Sequence, residues 1–238
     1  MQLIYRPFDF FQGRDCELVK QTVGIFQAQD NEPRQAGSGS GEGMSEILHD
    51  RIGYLEIERD GHVAVITMQR SEKLNAMTAA FWSDLRQALD MLSEAGDVRA
   101  VIITGGGDKA FSAGGDIAGF LNLKAIDDMR AYQQGAMDAF AHVEKSPLIV
   151  IAAINGLAYG GGCELALACD FVIAADTATF AMPEATLGLV PGFGVIRAPE
   201  IIGRQMTKYM IATGDALDAQ RALAVAIIYL VKIGRAHV

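Results

Sequence analysis

Two glutamates stand beside loops of small residues in an arrangement that suits proton transfer next to a growing negative charge. Gly160-Gly161-Gly162-Cys163-Glu164 leads into the apolar run Leu165-Ala166-Leu167-Ala168-Cys169, and Glu184 follows Pro183 twenty positions after Glu164. A second small-residue loop reads Phe111-Ser112-Ala113-Gly114-Gly115-Asp116. Loops with little side chain let backbone N–H groups come close to a ligand. A helix that starts there aims the positive end of its dipole at the same place. Two such loops with two acids fit a reaction that generates an oxyanion and moves a proton.

The elements that must hold these residues are legible in outline. Tyr54–Arg59 and Val63–Met68 flank Asp60-Gly61 and predict a hairpin. Phe81, Leu85, Ala88, Leu89 and Leu92 recur at helical spacing after Thr78, a candidate cap. Val98–Thr104 and Leu148–Ile154 are apolar runs ending in glycine turns, each predicting a buried strand, and residues 125–144 predict a helix between them. Strand, glycine turn and helix alternate, which is the pattern of an α/β fold.

Half of the 238 residues are hydrophobic, enough for one sizeable core, so one domain with appendages is expected. A net charge of −9 offers no basic stripe for nucleic acid. The three cysteines form no disulfide framework or zinc pattern, and Cys163 and Cys169 read as small core residues. No apolar run nears the roughly 18 residues of a membrane span, and the N-terminus lacks the layout of a signal peptide, so a reducing cytoplasm is the expected setting. Ser112 lies outside a Gly-x-Ser-x-Gly elbow, which argues against a serine nucleophile. Gly105-Gly106-Gly107 lacks the dinucleotide-binding fingerprint.

At the two loops and two acids the chain resembles the enoyl-CoA hydratase/isomerase (crotonase) family. Two further stretches extend the resemblance: Arg70-Ser71-Glu72-Lys73-Leu74-Asn75-Ala76-Met77, similar to the family's acyl-CoA-binding loop, and Met182-Pro183-Glu184 followed by Gly188–Gly194. The four motifs occur in the family's order between roughly Ile52 and Leu223. The resemblance implies a ββα superhelix and hydration of 2-enoyl-CoA thioesters, with no cofactor beyond the coenzyme A of the substrate. It assigns the oxyanion-stabilising amides to Ala113 and Gly161 and the acid–base pair to Glu164 and Glu184. Lys73, Leu74, Ala76, Gly114, Gly115 and Asp116 then line the substrate path, Asp116 also as a helix cap, while Gly192 offers its N–H to the attacking water. Arg70, Lys73 and Lys109 are candidate partners for the anionic coenzyme. An isomerase, another acyl-CoA enzyme of the family, or a non-catalytic acyl-CoA-binding protein are the alternatives. The family pattern Gly-Gly-Thr-Gln-Arg-Leu is replaced by Gly194-Val195-Ile196-Arg197-Ala198, where a positive φ would strain branched Val195.

The two ends read differently from the middle. Residues 1–43 close in the linker-like Gly37–Gly43, and Met44 is the expected natural start. A core over 44–231 is expected, followed by a non-native tail over 232–238, whose Ile233–Val238 matches the translation of a common sequencing adapter. The family's C-terminal helices, which cover the active site and build a trimer or a dimer of trimers, are expected to be missing. Their loss is expected to leave this chain less soluble or less active than a complete member.

Overall fold

The computed structural model describes residues 48–232. The expected extension over 1–43 and the residues from Ile233 lie outside these. Lys232, assigned to the tail from sequence, instead closes the last strand, in register with Ala175.

Among the described residues, seven strands form a large sheet in the order β1 (Leu48–Ile52), β2 (Leu55–Asp60), β3 (Val63–Met68), β4 (Ala100–Gly105), β6 (Ile149–Ile154), β8 (Phe171–Ala175) and β11 (Leu230–Lys232). The expected hairpin joins β2 to β3, and its turn passes through Gly61 at φ 59°. From β3 onward the sheet is parallel. All six residues of β4 are buried, as expected of a central parallel strand covered on both faces. A smaller sheet runs β10 (Leu217–Asp218), β9 (Thr179–Ala181), β7 (Leu157–Tyr159), β5 (Ala110–Ser112).

Helix α1 (Ala79–Glu94) buries Phe81, Trp82, Leu85, Ala88, Leu89 and Leu92 along one face. Phe81, Leu85, Leu89 and Leu92 each contribute about 1.5–3 kcal/mol on leaving water, before their entropy cost is counted. Thr78 holds the N-cap position, but its hydroxyl makes no capping bond. The chain then repeats one scheme. β4, β6 and β8 each join the large sheet, and the strand after each joins the small one before helices return. α2 (Ile117–Phe120) and α3 (Ile126–Glu144) follow β5, and α4 (Gly161–Ala168) follows β7. After β9 come a 3-10 turn (Pro183–Leu187), α5 (Gly194–Ile201) and α6 (Gly203–Thr213); α7 (Ala219–Ala224) links β10 to β11. This is the ββα superhelix implied by the resemblance.

Val195 lies inside α5, and its φ is not positive, so the anticipated strain does not arise. Among the described residues, no helix is long and apolar enough to cross a membrane. Nor does any group of three or more His, Cys, Asp or Glu gather there as a metal site.

Candidate active site

The small sheet brings the chemistry together. β5, β7 and β9 are parallel neighbours, with β7 in the middle, and all three end at the same edge. The Ala113–Asp116 loop leaves β5, Gly160 and α4 leave β7, and Met182-Pro183-Glu184 leaves β9. Carboxyl ends of parallel strands are where α/β proteins hold ligands. A chain order of 113, 161 and 184 thus becomes three adjacent positions in space.

Glycine lets these loops press together. A Cβ on Gly114, at φ 92°, would stand 2.7 Å from Tyr159 O and 3.0 Å from Gly161 N. One on Gly160 would stand 2.9 Å from Glu184 Oε1. Gly161 opens α4, so its N–H has no intrahelical acceptor and faces outward from the helix start. Gly161 thus presents a free N–H at the start of α4, beside the end of β7.

Ala113 does not. Its N–H donates to Leu74 O at 2.9 Å. The segment after β5 runs beside residues 74–77, where Met77 N–H donates to Gly114 O at 2.8 Å and Asp116 N–H donates to Met77 O at 2.8 Å. Gly114 N–H is taken by Ser112 Oγ at 3.1 Å. Gly115 keeps the unclaimed amide of this loop, and its nitrogen lies 3.7 Å from the point where a Cβ on Gly161 would be. The amide facing Gly161 thus belongs to Gly115, two residues beyond the one chosen from sequence. Ala113 still lines the cavity and lends Leu74 its anchor.

Glu164, only 7 % exposed, sits one turn into α4 and reaches the first turn of α5. Gly194 N–H donates to its Oε1 at 2.7 Å. Burial raises its carboxyl, and the amides of Gly194, Phe193 and Gly192 oppose that rise. Gly192, whose N–H the resemblance gave to the attacking water, lies at the entry to a helix whose amides converge on this acid. Glu184 has no such support, for its Oε2 is buried with no hydrogen-bond partner among the described residues. Burial, against a pull from its own amide, and with repulsion from Glu164 added, pushes Glu184 up to about 7. The two acids differ in the way an acid–base pair needs: one is supplied with donors, the other is left to keep its proton.

The rest of the expected set divides. Asp116 caps α2, its Oδ1 accepting from Ala118 N–H at 3.0 Å and Gly119 N–H at 3.4 Å. Its other oxygen pairs with Arg70 at 2.7 Å, and the hydrogen bond from that guanidinium holds the carboxyl below its usual range. Arg70 is thereby committed to the protein, whereas Lys73 and Lys109 are exposed. Lys73, Leu74 and Ala76 belong to a 3-10 turn and loop in which Leu74 and Asn75 both adopt positive φ, 52° and 53°. Fully buried Asn75 stabilises that conformation. Its side chain accepts from Arg70 N–H at 3.0 Å and donates to Ala110 O at 2.8 Å and Gly106 O at 3.0 Å.

Gly115, Gly160, Gly161, Glu164 and Glu184 share a cavity of about 340 Å³. Its walls are largely apolar and include Trp82, Phe120, Tyr132, Phe140 and Phe193. Trp82 and Tyr132 were not singled out from sequence, since neither belongs to a loop motif and each reaches the cavity from a helix.

Residues 58–232 match the family model for enoyl-CoA hydratase/isomerase, beyond Leu223, where the motifs end. The chain is 39 % identical over 175 residues to a crotonyl-CoA hydratase of Syntrophomonas wolfei. It is 36 % identical over 173 residues to a short-chain-enoyl-CoA hydratase of Clostridium acetobutylicum. Each alignment covers 72 % of this chain and 66 % of the relative, so the chain spans just under two-thirds of their length. The crystal structure of an enoyl-CoA hydratase from Bacillus anthracis superposes with a TM-score of 0.73 at 36 % identity, covering 76 % of this chain and 70 % of that one. The shared fold, the ordered loops and these likenesses carry one conclusion: the chain belongs to the enoyl-CoA hydratase/isomerase family.

Proposed function

We propose that this protein is an enoyl-CoA hydratase, adding water across the 2,3 double bond of an enoyl-CoA thioester to give a 3-hydroxyacyl-CoA. The observation that carries this reading is the pairing of two unclaimed amides with two differently supported carboxyls at adjacent strand ends. The thioester oxygen accepts from Gly115 and Gly161 N–H. Glu164, as carboxylate, takes a proton from water while the water oxygen bonds to the β carbon. The π electrons move to the thioester oxygen, where the two amides stabilise the enolate. Losing one such donor costs about 2.7–4 kcal/mol in transition-state stabilisation.

Glu184 then donates its proton to the α carbon as the enolate collapses. Transfer of the proton held by Glu164 to Glu184 restores the starting state, so the pair titrates as one coupled unit. Coenzyme A enters as part of the substrate, and its pantetheine path runs along the Leu74–Ala76 loop, with Lys73 at the entrance. Family-type trimers, or dimers of trimers, are the proposed assembly of the intact protein.

Incubation with crotonyl-CoA tests the reading. Loss of the absorbance of the conjugated thioester, with 3-hydroxybutyryl-CoA as product, is the expected result. A migrated double bond points instead to an isomerase, and binding without any chemical change to an acyl-CoA-binding module.

A further inference from the structure

Of the polar side chains that line the cavity and that the mechanism above leaves unused, two stand beside the amide pair. Trp82 projects from α1 and Tyr132 from α3, and both line the cavity. Their rings meet edge to face, with centroids 6.0 Å apart and planes at 80°. Phe120 packs edge-on against Tyr132 from another side at 4.8 Å and 79°. The phenol is therefore placed by aromatic packing and does not need a hydrogen bond to fix it.

Its hydroxyl is poorly occupied. The one backbone acceptor near Tyr132 Oη is Met77 O at 3.5 Å, well beyond the usual O–H···O range of about 2.5–3.0 Å. That carbonyl already accepts Asp116 N–H at 2.8 Å. Trp82, 3 % exposed, carries a buried indole N–H with no well-aligned acceptor, and its pull on the Tyr132 hydroxyl only partly opposes burial. The phenol ends at about 12 and stays neutral, hence a donor, at any working pH. A buried indole N–H beside a half-buried hydroxyl, both with unspent donors, is a costly arrangement unless a ligand satisfies it.

Its location says which ligand atom that is. Tyr132 Oη lies 3.0 Å from the point where a Cβ on Gly115 would stand. The tip of the Trp82 ring, Cη2, lies 3.8 Å from the corresponding point on Gly161. The two rings flank the two unclaimed amides, and glycine at 115 is what lets the hydroxyl approach so closely.

We propose that Tyr132 supplies a third hydrogen bond to the thioester oxygen of a bound acyl-CoA, donating its hydroxyl beside the Gly115 and Gly161 amides. The Trp82 ring, edge to face against the phenol, holds it in that position. The bond tightens as charge grows on the oxygen, so it favours the enolate over the ground state. This inference rests on the oxyanion reading of the cavity and adds a side-chain donor to it.

Tyr132→Phe is the test, because it keeps the ring and both edge-to-face contacts. With crotonyl-CoA, kcat is expected to fall about tenfold or more while KM moves little. The second readout is the thioester C=O stretch of bound ¹³C-labelled butyryl-CoA, which cannot be hydrated. Isotope-edited infrared difference spectra are expected to place that band at higher frequency in the variant, at an unchanged melting temperature. An unmoved band overturns the proposal whatever the kinetics. If the parent protein hydrates crotonyl-CoA and the band stays put, the hydratase reading stands and the third donor falls. If the parent leaves crotonyl-CoA unchanged but the band still shifts on Tyr132→Phe, the third donor stands and the hydratase reading falls.

Discussion

A carboxyl group taken out of water keeps its charge only where donors reach it, and the two glutamates stand on opposite sides of that condition. Glu164 meets the opening amides of α5, while Glu184 keeps an unpartnered oxygen against the cavity wall. Replacing either with glutamine preserves shape and removes proton transfer. Each change is expected to lower crotonyl-CoA turnover at least about a hundredfold while acyl-CoA affinity stays within a few-fold. A kinetically silent change at either position would remove it from the mechanism. The same asymmetry sets a stability signature. With Glu184 raised from 4.5 to about 7, the folded chain holds a proton that the unfolded chain has released between those values. Parent stability therefore falls as pH rises through that window and levels off above it. Glu184→Gln has no proton to lose, so its melting temperature relative to the parent is expected to be higher at pH 8 than at pH 5. An equal or opposite difference would mean that burial does not raise this carboxyl. At this scale the sequence singled out both glutamates that the structure brings to one cavity, because each is tied to a glycine or proline motif. It did not single out the first amide. Which N–H of Ala113, Gly114 and Gly115 faces the substrate depends on pairing with residues 74–77, some forty positions earlier.

The elements explain why the loops meet at all. β5, β7 and β9 have three residues each, too short for any periodicity to register, so the sequence predicts no strand there. The hairpin, α1, β4, α3 and β6 were all anticipated to within two residues, because each is long or bounded by glycine. What sequence could not supply was the second sheet that sets three strand ends side by side. Gly162 exposes the tolerance of that arrangement. A Cβ there would run into the backbone carbonyl of Ser112, at the end of β5, so α4 and β5 can approach only through a glycine. Backbone cannot rotate away as a flexible side chain does. Gly162→Ala is expected to cost about 1–3 kcal/mol, read as a lowered denaturant midpoint with an unchanged slope. Because the clash pushes α4 away from the β5 loop, activity should drop at temperatures where the variant is still fully folded. Full activity in the folded variant would show that the Gly115–Gly161 spacing tolerates such a shift.

Across the whole molecule, the apolar surface is distributed unevenly. The core is well sealed, yet the segment after Glu184 exposes Leu187, Leu189, Val190, Val195 and Ile196 within ten residues, with Val190 at 68 % and Ile196 at 59 %. The first three also border the cavity mouth. Clustered apolar side chains of this kind facing water mark contact with another molecule. Self-association through this segment is the economical explanation, in keeping with the proposed assembly. Sedimentation velocity over a rising concentration series should then reveal species heavier than the 25.5 kDa monomer. The double change Val190→Glu and Ile196→Glu is expected to shift the distribution toward monomer without lowering the melting temperature of the isolated chain, since neither side chain is buried within it. A parent that stays monomeric at every concentration, or a double variant that associates as strongly as the parent, would assign the segment to the cavity rim alone.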